Sequence, residues 1–161
     1  MDTTEGVRVR RATADDAVIL ATLRFEFRSA IGDAVEVPEE FIARCEAWMR
    51  DRLSDSDFWF AWIAETVDEG GPLAIGAVWL QLIEKVPNPV IEKEAHAYVT
   101  NLFVMELERG RGAGSMLLEA AVAECKSWDV DTIILWPTPR SRTLYERNGF
   151  APTKDIMARV L

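Results

Sequence analysis

Hydrophobic and polar positions change period several times along this chain, and each change marks an element. Val7-Arg8-Val9-Arg10 alternates with period two, as an edge strand does. Ile19, Leu20, Leu23 and Phe27 then recur at helical spacing. Thr13 stands before them as an N-cap, with Asp16 three residues on, so a helix is predicted there. A second helix is predicted to start near Pro38-Glu39-Glu40 and to bury Phe41, Ile42, Cys45 and either Trp48 or Met49. Phe58 to Ala64 (FWFAWIA) is too short and too aromatic for anything but a buried strand. The turn residues Glu69-Gly70-Gly71-Pro72 lead into another strand from Ala74 to Ile83. Lys85 to Lys93, with Pro87 and Pro89, reads as a loop, and a third long strand follows from Ala95 to Val104. Gly114, Leu117, Leu118, Ala121, Val122 and Cys125 form one continuous helical stripe. Asp131 to Trp136 (DTIILW) is a core strand. Thr138 and Pro139 open a short helix as N-cap and first residue, and Asn148-Gly149 stops it. Phe150 to Leu161 finishes with one or two strands. Strands and helices in this order predict a mixed α/β fold around one mixed sheet.

Composition narrows the setting. The 161 residues suit one domain with its own core, and 49% apolar with 28% charged residues is the make-up of a soluble globular protein. No apolar run follows the basic residues of the N-terminus, so no signal peptide is expected, and no apolar stretch approaches the ~20 residues of a membrane span. Cys45 and Cys125 lack metal-ligand spacing and sit in helical apolar patterns, as buried free thiols do. A reducing cytoplasm is the expected home, with no metal and no membrane partner. The net charge of −9 belongs entirely to residues 1–102, which carry ten bases and nineteen acids; from Phe103 onward there are eight of each. Such a chain is a poor general binder of nucleic acid, whose phosphates dominate affinity. Its acidic portion suits a cationic partner or is simply a solvated surface.

The candidate chemistry centres on Arg109-Gly110-Arg111-Gly112-Ala113-Gly114, placed after a strand and opening a helix. It is not a dinucleotide fingerprint, because Ser115 stands where a third glycine or alanine is required; nor is it a Walker loop, because no Gly-Lys-Ser/Thr follows. The first turn of a helix nevertheless presents backbone N–H groups without partners and a partial positive charge. Glycines let a pyrophosphate approach that backbone, and Arg109 and Arg111 add charge. The other reading of the same residues is a glycine-rich turn that only caps a core helix.

Taken with its flanks, the chain resembles the GNAT superfamily of acetyl-CoA-dependent N-acetyltransferases. That family pairs a [QR]-x-x-G-x-[GA] loop with a downstream L-Y-E-x-x-G-F. Here these are Arg109 to Gly114 and Leu144-Tyr145-Glu146-Arg147-Asn148-Gly149-Phe150. Tyr98 to Val104 resembles the family's splayed central strand, and the order of elements fits from Val7 to Leu161. The resemblance implies one GNAT-like domain over residues 1–161, with a mostly antiparallel central sheet flanked by about four helices. It implies acetyl-CoA as co-substrate, a small-molecule or peptide amine as acceptor, and, as in many members, a homodimer. The pyrophosphate would lie on the N–H groups of Gly110, Arg111, Gly112, Ala113, Gly114 and Ser115, and Leu102, Phe103 and Val104 would pair with the pantetheine arm. Two positions depart from the pattern: Thr138 replaces a common asparagine, and Glu106 replaces the usual proline after the central strand.

The resemblance also directs attention to side chains. Period two places Glu94, His96, Tyr98 and Thr100 on one face of the central strand, on the side where the family places its acceptor groove. Imidazole is the side chain suited to draining a proton near neutral pH, so His96, the one histidine, is a candidate base, and Glu94 could do the same or attract the cation. A solvated strand end is the other reading of these two, while Tyr98, the more central, is the expected substrate contact. Asp33, Glu36, Glu39 and Glu40 offer charge for selecting a cationic acceptor. Tyr145 matches the motif tyrosine and is the expected general acid, against the alternative of a ring that merely packs beneath the cofactor. Two rivals to catalysis are an acyl-CoA sensor of the same fold and an interaction protein with a structural glycine loop.

Overall fold

The computed structural model describes residues 6–32 and 34–161. Five strands form one mixed sheet in sequence order: β1 (Val7–Arg11), β2 (Trp59–Asp68), β3 (Gly71–Glu84), β4 (Ala95–Val104) and β5 (Thr132–Ile134). β1 to β4 are antiparallel neighbours, and β5 runs parallel to β4. Helices α1 (Ala17–Ala30) and α2 (Pro38–Asp55) cover one face, while α3 (Ala113–Ser127) and the short α4 (Arg142–Arg147) lie on the other.

Alternation along the strands divides the core. Phe60 and Trp62 face α3 with Val78, Leu80, Ala97 and Val99, against Leu117, Leu118, Ala121 and Cys125 of that helix. Ala61, Ile63, Ala77 and Trp79 face α1 and α2, meeting Leu20, Leu23 and Met49. The stripe predicted for α3 is therefore the one buried, apart from half-buried Gly114 and Val122. In α1 the face is narrower than predicted, because Ile19 is exposed; in α2, Met49 goes inside and Trp48 stays partly out. Both cysteines are free, and burial pushes both thiols up, Cys125 to about 11. Neither is a ready nucleophile.

An ion cluster fixes the start of the chain. β2 extends past Ala64, placing Glu65 in a buried position. Arg8 and Arg10 each donate through Nε to its carboxylate, at 2.9 and 2.8 Å. Arg10 also grips both oxygens of Asp16, at 2.9 and 2.7 Å, and Asp16 accepts the Thr13 N–H at 2.8 Å. The predicted Thr13 cap thus opens a 3-10 turn at Ala14–Asp16 that feeds α1.

Two expectations at the C-terminal end are corrected. Phe150 to Leu161 forms no strand, and residues 151–161 are all exposed. The short helix begins at Arg142 with Ser141 as its N-cap, rather than at Pro139 behind Thr138. Thr138 instead closes a turn, its N–H and hydroxyl both within 2.9 Å of the Ser141 hydroxyl.

β3 and β4 approach so closely at Gly76 that a Cβ there would lie 2.5 Å from the Phe103 carbonyl oxygen and 3.2 Å from the Val104 Cα. Both neighbours are backbone and have little room to yield. Gly76→Ala should therefore cost about 2 kcal/mol, the usual scale of overpacking. In a domain of this size that lowers the melting midpoint by about 4–8 °C. An unchanged midpoint would show that the β4 end can shift freely.

Candidate active site

β5 pairs with β4 over three positions only, His96 with Thr132, Ala97 with Ile133 and Tyr98 with Ile134. Beyond Tyr98 no described strand pairs with that edge of β4, which leaves a notch along residues 99–104. The opening coincides with a bulge. Trp79 opposes Thr100 while Ala77 opposes Phe103, so Asn101 and Leu102 together face Val78. Asn101 adopts φ +54°, a left-handed conformation that asparagine tolerates better than most residues. The extra residue inverts the alternation: Ala97 and Val99 face α3 before the bulge, and Leu102 and Val104 do so after it. Phe103 turns to the other face and stacks on Phe27 at 5.2 Å.

The glycine loop closes one end of the notch. Gly110 and Gly112 have φ near +80°, and Gly112 is the left-handed residue before the first turn of α3. None of the backbone N–H groups of residues 110–115 finds an acceptor among the described residues. The first to do so is Met116, which bonds the Gly112 carbonyl at 3.0 Å. Six consecutive free donors at a helix N-terminus form an anion cradle.

The side chains around that cradle are more occupied than the sequence suggested. Arg109 reaches back and donates its Nε to the Val104 carbonyl at 3.0 Å, bracing the end of β4; its Nη1 is buried and makes no hydrogen bond. Arg111 pairs with Glu108. Glu106, at the position of the family's proline, draws Arg140 to 3.6 Å and so ties the loop after β5 to the loop after β4. The Ser115 hydroxyl accepts from Asn148 of the α4 C-cap at 3.3 Å. A Cβ at Gly114 would meet Leu144 at 3.2 Å, so this glycine also lets α4 seat on the first turn of α3.

That seating positions Tyr145. Its ring is buried and meets Phe150 edge-on at 5.9 Å. Burial pushes the phenol above its ordinary value, the nearby Ser141 hydroxyl opposes the shift, and Tyr98 is close enough to add to it. The two tyrosines singled out in the sequence sit on the elements either side of β5, Tyr98 at the last β4 position that pairs with it and Tyr145 on the helix that follows it. Tyr98 itself stands edge-on to Trp136 at 5.1 Å.

His96 lies two residues back, inside the paired segment, with its Nδ1 buried and without a hydrogen-bond partner. Glu94 precedes the strand and is exposed. Of the acidic segment, Glu36 is held by Arg44 at 2.6 Å, Glu39 and Glu40 are exposed in the first turn of α2, and Asp33 lies outside the described residues. Sequence reasoning missed two groups at the site, Asn101 and Arg24 of α1, whose Nη1 donates to the Asn101 side-chain oxygen at 3.0 Å. An asparagine inside an apolar strand was the available signal for the first; nothing local marked the second.

The acetyltransferase (GNAT) family model matches residues 22–150. The chain belongs to the GNAT family. No curated protein matches the sequence. Among solved structures, a GCN5-related N-acetyltransferase from Ralstonia eutropha JMP134 is similar over 96% of this chain and 99% of its own, with 25% identity and a TM-score of 0.75. A protein from Clostridium acetobutylicum, described as a predicted acetyltransferase and solved with acetyl-CoA, aligns over 96% of each chain at 21% identity and a TM-score of 0.73. Glucosamine-6-phosphate N-acetyltransferase from Arabidopsis thaliana shares the fold at 17% identity and a TM-score of 0.68, over 97% of this chain and 99% of its own. The five-stranded mixed sheet and four helices are the GNAT architecture, and the family uses acetyl-CoA. The GNAT notch fits that group on two counts: the free N–H groups of residues 110–115 suit a pyrophosphate, and the bare edge of β4 suits an amide-bearing arm. Among the described residues no cluster of His, Cys, Asp or Glu could hold a metal ion, and no helix is long and apolar enough to cross a membrane.

Proposed function

We propose that this GNAT protein transfers an acetyl group from acetyl-CoA to a primary amine by direct attack. The observation that carries the reading is the cradle of six unclaimed N–H groups set beside the stretch of β4 edge that β5 leaves uncovered after Tyr98. Residues 110–115 hold the pyrophosphate, and Leu102 to Val104 bond the pantetheine arm through main chain along the edge that no strand covers. Bound acetyl-CoA supplies an activated thioester. Tyr145 keeps its proton at neutral pH as any phenol does, burial disfavours the phenolate further, and the hydroxyl delivers that proton to the leaving sulfur. The acceptor reaches the notch as an ammonium ion and must lose a proton before attack. Tyr98 borders that position, and His96, one strand repeat away, relays the proton outward through water. The two free thiols suit a reducing cytoplasm as the setting.

The test is thiol release from acetyl-CoA across a panel of amines, measured over a range of pH for the parent and for His96→Ala. Turnover with at least one amine, and a displaced acidic limb in the variant, are expected. Tryptophan fluorescence that responds to acetyl-CoA without turnover of any amine would make the protein a sensor. A superimposable pH profile for His96→Ala would remove that residue from the proton path.

A further inference from the structure

No ion pair with a described residue balances the charge on Arg24. α1 carries this residue over the bulge of β4, where Nη1 bonds the neutral side-chain oxygen of Asn101 at 3.0 Å and the guanidinium lies 5.6 Å from the centre of the Phe27 ring. Arg24 is half-buried and makes no ion pair with a described residue. Burial and the neighbouring Arg28 both work against its charged form. Arg24 and Arg28 line a cavity of about 190 Å³ together with Phe25, Phe41 and Glu36. The one described carboxylate in that wall, Glu36, is engaged by Arg44 at 2.6 Å. A cation removed from water is normally matched by an anion, because desolvation otherwise goes uncompensated. Holding Asn101 does not require a charge, since a neutral amide donor could make the same bond. Only Nη1 has a described acceptor, so the Nε and Nη2 hydrogens remain for a ligand. That edge of a guanidinium matches the two oxygens of a carboxylate.

Resting on the proposed amine acetylation, we infer that the acceptor carries a carboxylate near its amine and that Arg24 binds it. Arg24 holds Asn101, which lies three residues along β4 from Tyr98, the last position paired with β5, so a short molecule whose amine lies beside Tyr98 can set its carboxylate on the guanidinium. The acceptor class is thereby a zwitterionic amine of the amino-acid type rather than a polyamine.

The experiment compares free L-amino acids with the corresponding amino-acid amides as acceptors, since the two differ in the carboxylate and both keep the amine. For the parent enzyme, kcat/KM for the preferred acid should exceed that for its amide by about tenfold or more, the scale of one charge-assisted hydrogen-bonded pair. Arg24→Gln retains donors for Asn101 and removes the charge. It should raise KM for the acid about tenfold, leave its kcat and the KM for acetyl-CoA near parental values, and bring acid and amide to similar efficiency. Arg24→Lys, which restores charge without the planar fork, should recover part of the preference. Amides accepted as well as acids by the parent, or an equal loss for both in Arg24→Gln, would overturn the assignment and leave acetyl transfer standing. A lowered melting midpoint with no change in the acid-to-amide ratio would make Arg24 a brace for the bulge alone. Failure of every acid and every amide to release thiol would overturn the proposed activity, and this inference with it.

Discussion

Tyr145→Phe should lower kcat by about tenfold or more while leaving acetyl-CoA affinity near the parental value, which follows from the factor contributed by a general acid. The substitution keeps the buried ring and its edge-on contact with Phe150 and deletes only the hydroxyl. The threshold is set below the usual general-acid factor of roughly 10²–10⁴ for a chemical reason. A thiol has an ordinary pKa of about 8.5, so the departing sulfur tolerates negative charge better than an alkoxide would. Burial raises the Tyr145 phenol above its ordinary value, so the acid form survives throughout the neutral and mildly alkaline range. The parent should accordingly show no loss of rate from phenol ionisation below the ordinary tyrosine value of about 10. The same shift bears on stability in a defined direction. A group whose folded value is raised supports the fold below its unfolded value and ceases to do so as pH rises through the folded one. Alkaline destabilisation in the parent should therefore be weaker in Tyr145→Phe. Saturating-substrate kinetics decide the catalytic claim: full kcat in the variant would end it. A packing role alone would appear instead as a lower melting midpoint or weaker cofactor binding with kcat preserved.

Gly112→Val should weaken acetyl-CoA binding about 100-fold, or about 2.7 kcal/mol. Gly112 is the left-handed residue that turns the chain into α3 and exposes the donors on either side of it. A branched side chain there hinders the close approach that lets those N–H groups reach a phosphate, and each charge-assisted bond lost is worth about 1.5–3 kcal/mol. Valine also strains the backbone, since φ is +80° and the left-handed region costs a β-carbon residue about 1–2 kcal/mol. Calorimetry alone would confuse that strain with the loss of the site. Gly112→Asn separates them, because asparagine tolerates the left-handed region but still adds a side chain. Both variants should melt as folded proteins, and both should bind acetyl-CoA more weakly than the parent. Parental affinity in Gly112→Val would show that the pyrophosphate lies elsewhere.

Much of the frame was legible before any coordinates. Apolar period alone places β4 at Ala95–Val104 and the buried stripe of α3, because each pattern records which side of a local element meets the core. The cradle was legible for the same reason: glycines at 110 and 112 are a local conformational demand, and the structure meets it with two left-handed residues. Local signals failed where an element depends on a distant partner. Phe150 to Leu161 has the composition of a strand, but a strand exists only where another edge accepts its hydrogen bonds, and none does here. Thr138 and Ser141 are both good caps, and the turn they form together decided which of them starts α4.

By itself, then, the sequence determined the elements from β1 to β5, the glycine cradle and the placement of Tyr145 on the helix after β5, all of which depend on residues within a few positions of one another. Only the tertiary structure decided how the site is furnished. It bulged β4 at Asn101, turned Arg109 onto the Val104 carbonyl, and clamped Glu65 between arginines more than fifty residues away. It also brought Arg24 across 77 residues of chain to the edge of the notch. Charge pairing and strand register are set by which surfaces meet when the core closes, and that information lies in no single stretch of chain.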